Sequence, residues 1–193
     1  MTIVSSLRRA RKNAQLTLSE VAAPSGVGET NLSAIENARR DPSTATVQRI
    51  ADTLGVTFVA VPVRGRSSAA LAAAAITDAQ TSGNPRLAYR NFIQFADDLA
   101  AVDPVTRVVL VAEEPERSGE RWDDALAALV EYRLTQAAAP LPQWVRERTG
   151  DRKHTWEPQR SSVPLPVGAD ENLVPEPFRR RGVLIEESEL VSA

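Results

Sequence analysis

The sequence predicts a mainly α chain: an N-terminal domain of four short helices with one short strand, then an acidic helical domain, then an extended proline-rich tail. Three observations predict it. Apolar residues recur at helical spacing from position 4 to position 54. Residues 56–63 break that rhythm with a β-branched and aromatic run. Seven of the 13 prolines lie between positions 140 and 177, a density that stops helices and favours irregular chain. The expected boundaries are 1–63, 64–139 and 140–193.

Composition narrows the function classes. A chain of 193 residues, 42% hydrophobic, suits two small domains. Cysteine is absent and His154 is the sole histidine, which removes disulfide, thiolate and His-cage metal chemistry, so no cofactor is expected. No zinc-protease motif, phosphate-cradling Gly-rich loop or Ser/His/Asp set is present, so an enzyme is not expected. Without a run of eighteen apolar residues or a signal-peptide pattern, the expectation is a cytoplasmic protein with no membrane partner. Residues 1–66 carry 9 Lys+Arg against 5 Asp+Glu, net +4, and residues 67–193 carry 14 against 20, net -6. A mildly basic head thus precedes an acidic body. Of the 23 basic residues only Lys12 and Lys153 are lysine, a bias given no functional weight at this level.

Val4, Leu7, Ala10, Arg11 and Ala14 share one stripe of a first helix. Thr17 followed by Glu20 forms a capping box that starts a second, with Val21 and Ala22 turned inward. Pro24, in its last turn, deletes a helical hydrogen bond and is expected to end it early. Gly26 supplies a positive φ at the turn, Val27 plugs the angle, and a third helix spans about residues 29–37 with Leu32 and Ile35 inside. After a polar loop, Ser43 caps a fourth helix whose inward residues are Val47, Ile50, Ala51 and Leu54, and Gly55 stops it.

At this point the segment LTLSEVAAPSGVGETNLSAIENARRDPSTATVQRIADTLGV resembles the XRE/Cro-like helix-turn-helix family, over about residues 4–56. The likeness rests on Ala22, Gly26 and Val27 at the turn, on Ile35-Glu36, on Pro42-Ser43, and on Ile50, Ala51, Leu54, Gly55 and Val56. It implies that the third helix lies in the major groove of a palindromic double-stranded operator, with Glu29, Thr30, Asn31, Ser33 and Ala34 facing the bases. Chemistry favours Asn31 for base reading, since a carboxamide can bond both N6 and N7 of adenine. Thr30 and Ser33 suit bases or phosphates, and Glu29 can only accept, as from a cytosine amine. Arg39 and Arg40 follow the reading helix and suit phosphate. The resemblance also implies an internal ion pair between Arg11 and Glu36. The chain departs from the family at Leu18, where a phosphate-touching Gln is common, at Gly28 in place of a Ser cap, and at Pro24.

Residues 56–63 read as a strand closed by Pro62. With no hairpin beside it, its partner is either its own copy in a homodimer, which gives the symmetry a palindrome requires, or the C-terminal segment of the same chain.

Beyond the linker at 64–68, residues 69–81 read as an alanine-rich helix. Asn84-Pro85 opens another, with Ala88, Phe92, Phe95, Ala96 and Leu99 on its apolar face. Residues 105–112 fit a helix or a strand. Ser118 is expected to cap a long helix that shows Trp122, Ala125, Leu126, Leu129, Val130 and Arg133 on one side. Asp123 and Asp124 fit a first turn for its dipole alone. In the tail, Trp144, Phe178 and the trio Arg179, Arg180 and Arg181 are the partner-binding candidates. LPQWVRERT and PFRRRGVLIEESEL resemble the C-terminal region of antitoxin-type regulators encoded beside nucleotidyltransferase-like toxins. That implies a repressor of its own operon that neutralises a protein toxin through its C-terminal region. The alternative is a stand-alone regulator whose helical domain senses a ligand, which calls for a pocket of several hundred cubic ångströms, roughly.

Overall fold

The computed structural model describes residues 3–118, 121–158 and 168–190, and the chain divides into two compact units, Met1–Ala60 and Val61–Ala193. Among the described residues there are ten α-helices, two 3-10 turns and no strand.

The first unit holds α1 (Ile3–Asn13), α2 (Leu18–Ser25), α3 (Glu29–Glu36) and α4 (Thr44–Thr53). Leu7, Val21, Ala22, Val27, Leu32, Ile35, Ile50 and Ala51 form one core, and Val4, Leu16, Leu18, Val47, Leu54 and Val56 pack against it. No helix of this unit exceeds 11 residues, below the length at which an isolated helix is stable in water, so packing and end contacts have to hold each one. At the start of α2, Thr17 Oγ1 accepts from the Glu20 N–H at 3.2 Å while Glu20 Oε2 accepts from the Thr17 N–H at 2.8 Å. Those bonds to Thr17, its backbone amide first, hold the Glu20 carboxyl below the usual carboxylate range. Ser43 Oγ accepts from the Thr46 N–H at 3.3 Å and starts α4 as its position suggests.

All four helices close the same way. Gln15, Gly26, Ala38 and Gly55 adopt left-handed φ values of 57°, 64°, 54° and 66°. In each case the next N–H reaches back five residues: Leu16 to the Arg11 carbonyl, Val27 to Ala22, Arg39 to Ala34 and Val56 to Ala51, at 2.9–3.2 Å. This is the Schellman closure, which satisfies carbonyls the last turn would leave open. Pro24 does not end α2 early, contrary to its expected effect. The helix continues to Ser25, and the Gly26 N–H bonds the carbonyls of Ala22 and Ala23. The expected strand at 56–63 does not form in the single chain. A strand exists only through ladder bonds to a second one, and among the described residues nothing supplies them.

The second unit is built on α5 (Ala69–Thr81), α6 (Pro85–Ala100), α7 (Pro104–Val111) and α8 (Trp122–Gln136). Asn84 Oδ1 accepts from the Leu87 N–H and starts α6. The ambiguous run beginning at Val105 is helical, because Asp103 Oδ1 accepts from the N–H groups of Val105 and Thr106 at 3.0 and 3.1 Å and Pro104 fits the first turn. α8 differs from its expected one-sided stripe. Trp122, every residue from 125 to 131, Arg133 and Leu134 are buried, as in a helix enclosed by the core rather than laid on it. Ser118 is not its cap either: Ser118 donates, from N–H and Oγ, to Asp123 Oδ1 in the first turn of α8.

The largest correction concerns the tail. Where described, it is not extended but folded against the helices, through α9 (Gln143–Glu147), α10 (Glu176–Arg179) and 3-10 turns at Glu171–Leu173 and Glu187–Leu190. Trp144, Val145, Val174, Phe178, Val183, Ile185 and Leu190 belong to the same core as α5, α6 and α8. Phe178 stacks edge-on against Phe92, and Trp122 against Trp156. Trp156 exchanges backbone bonds with the 182–184 segment, donating to the Gly182 carbonyl and accepting from the Leu184 N–H, both at 2.8 Å.

Irregular chain can be buried only if its carbonyls find donors, and here arginines supply them. Arg181, 1% exposed, bonds the carbonyls of Arg148, Pro177 and Val145 at 2.8–3.0 Å and pairs with Glu131 at 2.8 Å. Burial pushes its guanidinium down from the ordinary arginine range, against the upward pull of Glu131. Arg121 bonds the carbonyls of Arg181 and Gly182, Arg148 those of Asp123 and Pro115, and Arg133 that of Leu190. The preference for arginine over lysine, given no functional weight in the sequence, has a structural one: a planar group with five donors bonds several carbonyls at once. We expect Arg181→Met to destabilise the second unit by roughly 3–5 kcal/mol, since it leaves Glu131 with Arg180 alone and strips the carbonyls of Arg148, Pro177 and Val145 of their donor. Denaturant unfolding followed by tryptophan fluorescence reads this directly, all three tryptophans lying in that unit; an unchanged midpoint would remove Arg181 as the anchor.

Candidate nucleic-acid interface

The face α3 offers to solvent is built from the inside out. Leu32 and Ile35, each 1% exposed, fasten the helix to the core, and Glu36 fixes its rotation. Arg11 Nε and Nη2 bond the two Glu36 carboxylate oxygens at 2.7 Å each, and Nη1 bonds the Leu16 carbonyl at 2.7 Å. The bond to Glu36 raises the Arg11 pKa above its ordinary value. The pair is almost closed to solvent, with side chains 12% and 6% exposed, so the ion pair that the resemblance implied is present and joins α1 to α3. At the N-terminus of α3, Gly28 makes no side-chain cap, leaving first-turn amides without an internal acceptor.

Glu29, Thr30, Arg39 and Arg40 are exposed, and Asn31, Ser33 and Ala34 are half-buried. Among the described residues Arg39 and Arg40 make no ion pair or side-chain hydrogen bond, so both guanidinium groups are free for an anion. The Ser33 carbonyl accepts from Asn37 Nδ2 at 2.8 Å, which closes the end of α3 beneath them. Asn31 differs from its expected role: its Oδ1 is buried without a hydrogen-bond partner. A bidentate grip on adenine needs both ends of the carboxamide, so Asn31 has to swing outward before it can read a base. The orphaned acceptor favours that motion, since an unpaired buried oxygen costs about 1–3 kcal/mol. Leu18 packs against the core, so it makes no phosphate contact of the kind a Gln offers at that place.

Sequence reasoning missed the left-handed Ala38, which aims the Arg39-Arg40 loop. Only a glycine or asparagine would have signalled that conformation.

The partner-binding candidates separate into two groups. Trp144, Phe178 and Arg181 are interior, 4%, 0% and 1% exposed, and Trp144 Nε1 donates to the Val111 carbonyl at 2.9 Å. They build the second unit instead of facing a partner. Arg179 and Arg180 are exposed, and Arg180 pairs with Glu131. The same unit holds a cleft of about 540 Å³ bordered by Arg117, Arg121, Arg148, Asp123, Asp124 and Asp151. Burial raises the Asp124 pKa there, against the pull of Arg121. Among the described residues no group of three or more His, Asp or Glu is arranged to hold a metal ion, and no helix is long and apolar enough to cross a membrane.

Two substitutions near the interface should have opposite signs. Glu36→Ala strands the buried Arg11 charge and should cost the first unit about 3–5 kcal/mol. Ala38→Gly relieves a left-handed alanine and should stabilise it by about 1 kcal/mol. Thermal unfolding followed by far-ultraviolet dichroism resolves both, and a stabilising Glu36→Ala would overturn the pair's assigned role.

Neither the curated proteins nor the solved structures yield a match to the chain. A family model does match, over residues 4–61, and its description is a helix-turn-helix domain. The first unit is therefore a helix-turn-helix domain, which supports a DNA-binding regulator.

Proposed function

We propose that the chain is a cytoplasmic, non-enzymatic repressor that binds a palindromic operator as a homodimer, reads it through α3, and serves as the antitoxin of a nucleotidyltransferase-like toxin held by its second unit. The observation that carries the DNA-reading part is the combination of a rigidly fixed α3 with exposed Glu29, Thr30, Arg39 and Arg40. Thr30 meets base edges or phosphates, Asn31 reads adenine once rotated outward, Ser33 and Ala34 line the approach, and the two arginines hold phosphates. In a gel-shift titration against the DNA upstream of its own gene, Arg39→Ala/Arg40→Ala should weaken binding to all sequences and lower the salt slope by about two, roughly one for each phosphate no longer neutralised. Thr30→Ala should act more on the preferred sequence. Affinity and salt slope that stay at the parental values in the double variant would defeat the assignment.

The antitoxin role is supported by the likeness of residues 141–149 and 177–190 to antitoxin-type regulators. The structure changes how it would work, because these segments are folded against their own unit. Trp144, Phe178 and Arg181 serve as the frame, and Arg179, exposed and without an ion pair among the described residues, carries the charge available to an acidic partner. Removing residues 141–193 would strip the core, so the informative change is a surface one. Co-expressed with the product of the adjacent gene, Arg179→Glu should lower co-purification and neutralisation about ten-fold, the worth of one charge-assisted hydrogen bond, at an unchanged melting temperature. Full neutralisation by that variant would take Arg179 out of the interface.

A second reading, a regulator that senses a ligand, is favoured by the 540 Å³ cleft. Its charged lining suits a polar molecule and requires no protein partner.

A further inference from the structure

The segment from residue 57 to residue 61, at the end of the first unit and the start of the second, has backbone groups that no described residue uses. Among the described residues, none of these five takes part in a backbone hydrogen bond. None of residues 56–63 has a positive φ, and none carries a charge. Phe58 is 37% and Val59 75% exposed, so apolar side chains stand in water beside unused donors and acceptors. Such an edge invites a second strand.

From these facts we propose that residues 57–61 pair antiparallel with the same residues of a second copy, about a two-fold axis through Val59. The register follows from which donors are missing. Pro62 has no N–H, and the Val56 N–H is already bonded to the Ala51 carbonyl at 2.9 Å. In a self-paired antiparallel ladder centred on Val59, these two positions lie opposite each other. The ladder is therefore bounded equally at both ends, and a centre at any other residue would lose that match.

The same facts select the bonding pattern. Antiparallel pairs alternate between those that exchange both backbone bonds and those that exchange none. If Val59 exchanges both with its own copy, then Thr57 and Val61 exchange both with each other, and no donor is asked of Val56, Phe58, Ala60 or Pro62. The opposite phase would draw on Val56 and Pro62, which have none to give. In the favoured phase Val59 meets Val59 across the axis, a β-branched cross-strand pair, and Phe58 lies across from Ala60, so large meets small. Arg64 falls opposite Leu54, so like charges do not meet. A closed isologous contact of this kind gives the two-fold symmetry a palindromic operator needs. This inference rests on the homodimeric reading above and specifies its interface.

The test uses the full-length protein, whose lack of cysteine makes single-cysteine variants unambiguous. Across the axis the Val59 Cα atoms are about 5.5 Å apart, within reach of a disulfide, whereas the Thr57 Cα atoms lie about 15 Å apart. Under mild oxidation V59C should form a covalent dimer, and T57C and V61C should stay monomeric on non-reducing gels. By analytical ultracentrifugation, V59P, which removes both central bonds, should weaken dimerisation about ten-fold or more. A60P, at a donor the register leaves unused, should remain a dimer. Far-ultraviolet dichroism confirms that each variant is folded, and if V59P is not, the cross-linking pattern decides. A parent that sediments as a monomer throughout, equal cross-linking of T57C and V59C, or a folded V59P that dimerises like the parent would each overturn the proposal. Footprinting on the upstream DNA separates this from the regulator reading. A two-fold footprint without the V59C cross-link discards this interface alone, and the cross-link without DNA binding discards the operator alone.

Discussion

The paired guanidinium and carboxylate of Arg11 and Glu36 hold α3 in place. At eight residues, α3 is too short to be helical by propensity, and two apolar anchors, Leu32 and Ile35, leave it free to roll about the line between them. Glu36 removes that freedom, because the bidentate geometry accepts one rotation of the helix. Arg11 also takes the Leu16 carbonyl, so the loop from α1 to α2 is set by the same group. An ion pair this closed to solvent adds little net stability over an apolar pair of equal volume. What it adds is direction, which the proposed groove-reading role of α3 would require.

Arginine does comparable work in the second unit, with carbonyls in place of carboxylates as the main acceptors. A stretch interrupted by prolines pairs only part of its carbonyls, in short helices and one isolated bridge, and burying the rest unpaired would cost more than its apolar residues return. Arg121, Arg148 and Arg181 meet that requirement from the side, and Arg133 ties down Leu190 near the C-terminus. Close packing follows from the arrangement: a Cβ on Gly182 would stand 2.1 Å from the Asp151 carbonyl oxygen, and one on Gly150 would stand 2.6 Å from the Arg181 Cα. Both glycines have left-handed φ as well, so two requirements coincide at each.

Legibility in the sequence tracked whether a signal was local. Capping at Thr17, Ser43 and Asn84, the helical spacing of the helices in both cores, and the turn at Gly26 lie within a few residues of their cause, and each was readable, whereas the cap that Asp103 gives the run after Pro104 was not read and that run stayed open between helix and strand. The closures at Gln15 and Ala38 use residues that carry no left-handed signature, so only the fold reveals them. The proline-rich region misled for a different reason. Proline density reports the absence of regular structure, which is equally compatible with a loose tail and with a packed irregular segment. The deciding contacts, Arg181 to Val145 or Phe178 to Phe92, span tens of residues and have no local trace. The resemblance placed Glu29 and Thr30 on the outward side of the third helix and Arg39 and Arg40 just past it, and all four are exposed, whereas the inward turn of Asn31 had no signal.

A folded tail changes the thermodynamics expected of any partner. A segment that orders only on binding loses conformational entropy at that moment and spends part of its contact energy on it. Here that loss is already met in the folding of the unit, with Phe178 and Leu190 fully enclosed. A partner engaging the remaining surface would meet pre-set groups such as Arg179 and would bind much as a rigid body does. For the proposed partner and operator, the described part of the tail therefore supplies no ordering step that could couple the two. If the 57–61 pairing holds, it offers a place for such coupling, since a two-stranded ribbon on its own is marginal in water. A modest bias on dimerisation, from either unit, would then change operator occupancy through the shared two-fold axis, because both half-sites have to be held at once.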